Sequence, residues 1–211
     1  SDDVKPNVLA RRTPGFTPAD IENIMNEAAI LTARKRQKEI HMDTIEEAIT
    51  KVMVGVAKKS RVISEKDRKL TAYHEGGHAV CMHILKNVNP VHQVTIVPRG
   101  RAGGFTEPLP KEDQMYGTKK EMEETIIMAL GGRVAEELVL DDISTGASND
   151  LERVTQTARA MVTKYGMSEK LGPMVFGDNE DEVFLGNSFT SKRNYSEEVA
   201  FEIDKEIKRI V

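Results

Sequence analysis

The sequence holds a single cysteine, Cys81, no tryptophan, and only 5% aromatic residues in a chain of 211. One cysteine excludes an internal disulfide and suits a reducing compartment. No apolar run approaches the roughly 20 residues needed to cross a bilayer, and the start carries no secretory signal. The chain as it stands is therefore expected to be soluble. It also has no surplus of positive charge: 30 basic residues face 34 acidic ones, a net charge of −4. That balance gives no reason to expect a nucleic-acid partner. No G-x-x-x-x-G-K-S/T phosphate loop occurs, so these residues alone are expected not to hydrolyse ATP. There is no internal repeat and no low-complexity tract.

What is present is 39% hydrophobic residues, enough for a sizeable core in one or two domains. The polar opening Ser1–Asn7 and the helical pattern still running at Val211 read as a piece of something longer. Residues 1–60 read as a small helical unit. Thr17, Pro18 and Asp20 form a start signal with a capping box, and Ile21, Ile24, Met25, Ala28 and Leu31 follow as a stripe. A second helix begins near Asp43, presents Ile45, Ala48, Ile49 and Val52, and stops at Gly55. Ala57–Arg61 reads as a junction. Before it lie 10 basic and 9 acidic side chains in residues 1–60, against 20 and 25 in the rest. From Ser64, with a second expected capping box to Asp67, a helix runs to about Lys86. Gln93–Val97 alternates like a half-buried strand, with Phe105-Thr106 as its partner after a glycine turn. Helices follow over Thr118 to about Leu140 and about Asn149 to Tyr165, the latter closed by Gly166. Residues 172–190 read as loops or short strands, around Met174–Phe176 and Val183–Leu185. A last helix shows Val199, Ile203, Ile207 and Ile210 on one face. The expected class is mainly α, with one small β-sheet (α+β).

The chemistry concentrates at His74-Glu75-Gly76-Gly77-His78. Histidines four apart on a helix stand on one face, where both imidazoles reach a single zinc ion. The carboxylate of Glu75, beside the first ligand, is placed to take a proton from a metal-activated water and pass it to the leaving amine. The competing reading is an ordinary amphipathic helix with histidines placed by chance. Against it, Leu70, Gly77, Cys81 and Leu85 continue the histidine stripe, so both rings face inward. Two core imidazoles without a partner are costly, and a metal removes that cost. Mid-helix Gly76-Gly77 costs about 1 kcal/mol per glycine relative to alanine, and suggests close approach of another backbone or a substrate.

Catalytic zinc usually takes three protein ligands. Glu136 and Glu137, after Gly131-Gly132-Arg133, and Asp150, in the first turn of its helix, are the candidates, and spacing does not choose among them. Asp150 has an ordinary alternative role as a charge at a helix N-terminus, and the two glutamates as a solvated face. Cys81, one turn past His78, reads as a small buried hydrophobe. His41, His83 and His92 lack ligand spacing and read as surface or packing residues, and the methionines read mostly as core.

Several segments together resemble one family. They are Thr71–Ala79, Pro90–Gly100, Gly131–Glu137, Ser144–Leu151 and Gly166–Pro173, and they are similar to the peptidase domain of FtsH, the membrane-anchored AAA+ zinc metalloprotease, above all its bacterial members. The resemblance implies one Zn2+ per chain held by His74, His78 and Asp150, with Glu75 as general base. Glu136 then supports a ligand rather than binding the metal. Val94, Thr95, Ile96 and Val97 resemble an edge to which a substrate peptide adds as a further strand. The opening residues, through Ala10–Phe16 and Ala19-Asp20-Ile21, resemble the helical lid of the family's ATPase module. The expected division is thus lid over 1–57 and zinc metallopeptidase over 58–211. By resemblance the parent is a homohexamer on the cytoplasmic face of the bacterial inner membrane. It uses ATP and Mg2+ to thread unfolded or membrane proteins to the zinc site. The contrasting reading is a non-catalytic ring-assembly module whose zinc is only structural.

Overall fold

Residues 1–58, 62–100, 102–112, 114–177 and 194–211 are described by a computed structural model. The capping box at Thr17 forms in both directions and starts α2 (Pro18–Arg34), which packs on α3 (Met42–Val54). Their facing residues Ile24, Ala28, Ile45, Ala48 and Ile49 make one core, completed by Val4, Leu9 and Phe16 from the chain before α2. That earlier chain contains an unexpected helix, α1 (Pro6–Arg12). It has seven residues, too few for a periodic stripe, and its only signal is a proline at the first turn.

A second core lies among the later helices: α5 (Lys119–Leu140), α6 (Ser148–Thr163) and α7 (Glu197–Ile210). Ile126, Val154, Ala158, Met161, Val162 and Ile203 fill it. Gly166, at φ +57°, ends the α6 segment as expected of a residue that must turn left-handed. Met174–Phe176 forms no strand; Phe176 instead packs on this core, edge-on to Tyr195. Val183–Leu185 lies outside the described residues. Of the methionines only Met82 and Met161 are buried, so the expectation of a methionine-rich core fails.

Between the two cores stand α4 (Glu65–Ile84) and a two-stranded antiparallel sheet, β1 (Val91–Thr95) with β2 (Phe105–Pro108). Ser64 caps α4 by accepting from the Asp67 amide, but the reciprocal bond of a full box is not formed. The helix ends at Ile84, because Leu85 already turns extended (ψ 141°). The strand also begins two residues earlier than expected and stops at Thr95. Thr95 Oγ1 accepts from the Val97 amide at 3.1 Å, which takes that donor away from any ladder, and Pro98 has no N–H to continue one. Ile96 and Val97 therefore fall outside the strand. Val94 pairs with Thr106, and the register is irregular between Val91 and Gln93.

α4 and α5 pack along each other more extensively than any other two elements, and glycine makes this possible. A Cβ on Gly77 would meet the Gly131 carbonyl oxygen at 2.2 Å, and one on Gly131 would meet Cys81 Sγ at 2.7 Å. Gly76 has open space around its missing Cβ, so close approach explains its neighbour and not Gly76 itself. The two positions are expected to respond oppositely to alanine. Gly77→Ala forces the helices apart and should cost at least about 1–3 kcal/mol. Gly76→Ala only improves helix propensity and should stabilise by up to about 1 kcal/mol. Thermal unfolding of the two variants checks this, and equal responses would refute the packing account.

Candidate metal centre

One turn of α4 separates His74 from His78, and their ring centroids lie 4.7 Å apart with planes at 86°. Each ring is turned by a bond to α5. His78 Nδ1 donates to the Met128 carbonyl at 2.8 Å; a carbonyl only accepts, so the proton sits on Nδ1 and the Nε2 lone pair is free. His74 Nδ1 lies 2.6 Å from Glu136 Oε1, which leaves its Nε2 free in the same way. Glu136 is fully buried, and its other oxygen accepts from the Ser144 amide at 2.8 Å. A carboxylate or carbonyl behind a ring, with the opposite nitrogen bare, is the usual support for a metal-ligating histidine. Gly132 makes room for both rings: its Cβ would sit 2.7 Å from His74 Cε1 and from His78 Nε2.

The two Nε2 atoms face each other at 3.1 Å. Asp150 Oδ2 completes the group, 3.3 Å from His74 Nε2 and 3.6 Å from His78 Nε2. Asp150 comes from the first turn of α6, which a 3-10 turn (Thr145–Ala147), anchored by the buried Ala147, swings toward α4. A tetrahedral zinc with ligand bonds of about 2.0–2.1 Å needs ligand atoms roughly 3.3–3.4 Å apart. The triangle fits that span. It is also the only group of three or more potential ligands found close together among the described residues.

Charge is arranged to match. Burial opposes charging of both imidazoles, yet Asp150 and Glu136 for His74, and Asp150 and the Met128 carbonyl for His78, raise their pKa values above the usual 6.5. Burial pushes the Asp150 carboxyl upward, but the two imidazoles outweigh it and hold Asp150 well below the ordinary carboxylate range. Glu75, itself buried, is pushed up by that burial, and the Thr106 hydroxyl pulls partly against the rise. Thr106 Oγ1 donates to Glu75 Oε2 at 2.7 Å.

Among the sequence candidates, Glu137 is exposed and outside the group, and half-buried Cys81 turns toward Gly131. His41 pairs with Asp3 and His92 with Glu46, each at 3.3 Å, and His83 is exposed. Val94 and Thr95 lie in β1, the first of them exposed, while Ile96 and Val97 follow it. Three contributors were not legible beforehand: Thr106, the Met128 carbonyl and the Ser144 amide. Backbone groups leave no trace in side-chain patterns. For Thr106 the only hint was its place just after the Gly103-Gly104 turn.

The family model described as peptidase family M41 matches residues 61–211. This chain belongs to peptidase family M41. A second model, the AAA+ lid domain, matches residues 3–47 of the M41 chain. Among curated relatives, the ATP-dependent zinc metalloprotease FtsH 2 of Alkaliphilus metalliredigens is 71% identical over 210 residues, covering 100% of this chain and 30% of its own length. FtsH 1 of a Thermoanaerobacter species is 64% identical, covering 99% of the chain and 34% of its own length. FtsH of Veillonella parvula is 56% identical, with 100% and 33% covered. The M41 chain thus spans about a third of the length of the relatives it matches.

The charge pattern of this M41 site has a definite pH signature without metal. A histidine with a raised folded pKa adds stability below its unfolded value near about 6.5, and that stability is lost as pH rises past the folded value. In the metal-free protein, Asp150→Asn removes the partner that charged imidazoles use. Its Tm deficit against wild type is expected to be larger near about pH 6 than near about pH 8.5. Equal deficits at both would contradict the pairing.

Proposed function

We propose that this chain is the peptidase portion of a zinc-dependent endopeptidase, divided into a lid over residues 1–57 and a metallopeptidase over 58–211. His74, His78 and Asp150 hold one Zn2+, and Glu75 is the general base. The observation that carries this reading is the donor triangle of 3.1, 3.3 and 3.6 Å, with the Glu75 carboxylate on the adjoining residue of the same helix. When bound there, zinc supplies Lewis-acid polarisation of a peptide carbonyl and eases ionisation of a water toward neutral pH. Glu75 accepts the proton of the attacking water and hands it to the departing amine. Its burial suits that shuttle, because a carboxyl pushed upward is a stronger base once ionised. Glu136 fixes the His74 ring and tautomer without touching the metal.

The substrate in this reading is an unfolded polypeptide that adds along β1, whose edge at Val94 and Thr95 bonds main chain rather than side chains; Ile96 and Val97 carry the substrate segment past the strand end without the Val97 amide, which Thr95 holds. The relatives are named ATP-dependent, and a match to an AAA+ lid supports the same machinery around this site. The whole protein is accordingly a membrane-anchored homohexamer at the cytoplasmic face of the bacterial inner membrane. There, ATP and Mg2+ act in the ring to deliver unfolded or membrane proteins. Among the described residues no helix is long and apolar enough to cross a membrane.

The rival reading, a structural zinc in a ring-assembly module, has no use for Glu75. Glu75→Gln is expected to retain stoichiometric zinc while cleavage of an unstructured peptide falls by roughly 10²–10⁴-fold, the usual contribution of a general base. Cleavage at the wild-type rate would remove the hydrolytic assignment. For the ligand set, Glu136→Ala is expected to weaken zinc binding by about 10–100-fold through loss of ring support. Asp150→Ala should weaken it by more, as metal titration would register; the reverse order would exchange the two roles.

A further inference from the structure

β2 is two-sided in a way that the proposed hydrolysis does not by itself require. Successive residues of a strand point to opposite faces. Thr106 faces α4, where its hydroxyl lies 2.7 Å from Glu75 Oε2 and 3.1 Å from the Glu75 carbonyl oxygen. Glu107 faces the other way and receives Arg12, the last residue of α1. The guanidinium reaches both carboxylate oxygens, at 2.9 Å and 2.7 Å from a single nitrogen. Arg12 is only 2% exposed, and the same nitrogen donates to Thr50 of α3 at 3.3 Å. Beside it, Glu46 of α3 meets His92 of β1 at 3.3 Å, and Arg11 donates to the Pro110 carbonyl just past β2 at 2.5 Å. An arginine buried to this extent has a fixed position, because its charge tolerates burial only against the carboxylates beside it, Glu107 at 2.7 Å and Glu46 at 3.8 Å.

Glu75 carries its carboxylate at the end of three rotatable bonds, and the terminal torsion is broad unless something holds it. Among the described residues, the Thr106 hydroxyl is the one side-chain donor to it. We propose that Thr106 is a positioning residue for Glu75, and that the Arg12–Glu107 pair holds β2, and with it Thr106, in register against the base. The residues that match the lid thereby set the geometry of the peptidase base through one strand. This rests on the reading of Glu75 as the base.

The experiment uses the zinc-loaded chain, an unstructured fluorogenic peptide for kcat and KM, metal analysis for zinc content, and calorimetric binding of a peptide hydroxamate, whose hydroxyl a well-placed Glu75 accepts. Thr106→Val should lower kcat by about 10–100-fold, since misplacement by about 1 Å costs on that order. KM and zinc content should stay as in wild type, and hydroxamate affinity should fall. Thr106→Ser, which keeps the donor, should recover kcat to within a few-fold. If the valine variant does not fold, Thr106→Ala against Thr106→Ser makes the same comparison, with hydroxamate affinity as the readout. Arg12→Met should lower kcat in the wild-type background and add little on top of Thr106→Val, the non-additivity expected of residues acting in series. Thr106→Val with wild-type kcat and hydroxamate affinity, while Glu75→Gln shows its expected loss, overturns the positioning role alone. Fully additive losses overturn the route from Arg12. A Glu75→Gln variant that cleaves at the wild-type rate instead overturns the underlying assignment of the base.

Discussion

The approach of α4 to α5 is the constraint from which the site follows. Two helices packed through ordinary side chains stand about 8–10 Å apart, with those side chains filling the space between the two backbones. Gly77 and Gly131 remove the intervening side chains, and Gly132 leaves the space that both histidine rings occupy. Only then can the Met128 carbonyl and Glu136 lie behind His78 and His74 and turn both Nε2 atoms to the same point. The cost of glycine in two helix interiors is thus balanced by a geometry that no larger residue permits.

Three carboxylates serve this small volume, and their surroundings separate them. Asp150 faces two imidazoles and is held charged by them. Glu136 is fully buried, fixed between a ring nitrogen and a backbone amide. Among the described residues Glu75 has no cation within bonding distance, only a hydroxyl, so burial dominates and its affinity for a proton rises. The proposed ligand, the proposed support for a ligand and the proposed base differ here in what surrounds each oxygen rather than in residue type.

The sheet carries the same logic outward. It is small, and its pleat gives it one face toward the helix with the histidines and the other toward the residues that match an AAA+ lid. A buried arginine on that outer face ties the two parts, beside the Arg11–Pro110 and His92–Glu46 contacts. Such a pair fixes orientation more than it adds stability, because the desolvation of the two charges offsets much of their attraction.

Much of this was legible in the linear sequence. Helix starts with a side-chain cap, the stop at Gly55 and the turn at Gly166 follow from local chemistry, and they appear where expected to within a residue or two. His74 and His78 were readable because their partnership is encoded in one helical turn; Asp150, Glu136 and Glu137 stood as candidates from the sequence, and only the resemblance chose among them. The short α1 was not readable, nor was the strand's early end, since a single Thr95 side-chain bond decides it. Thr106, the Met128 carbonyl and the Ser144 amide came only with the folded chain. The reason is physical: spacing along one helix specifies which side chains share its face, whereas a bond between residues 31 or 62 positions apart exists only after packing has chosen the distance between elements.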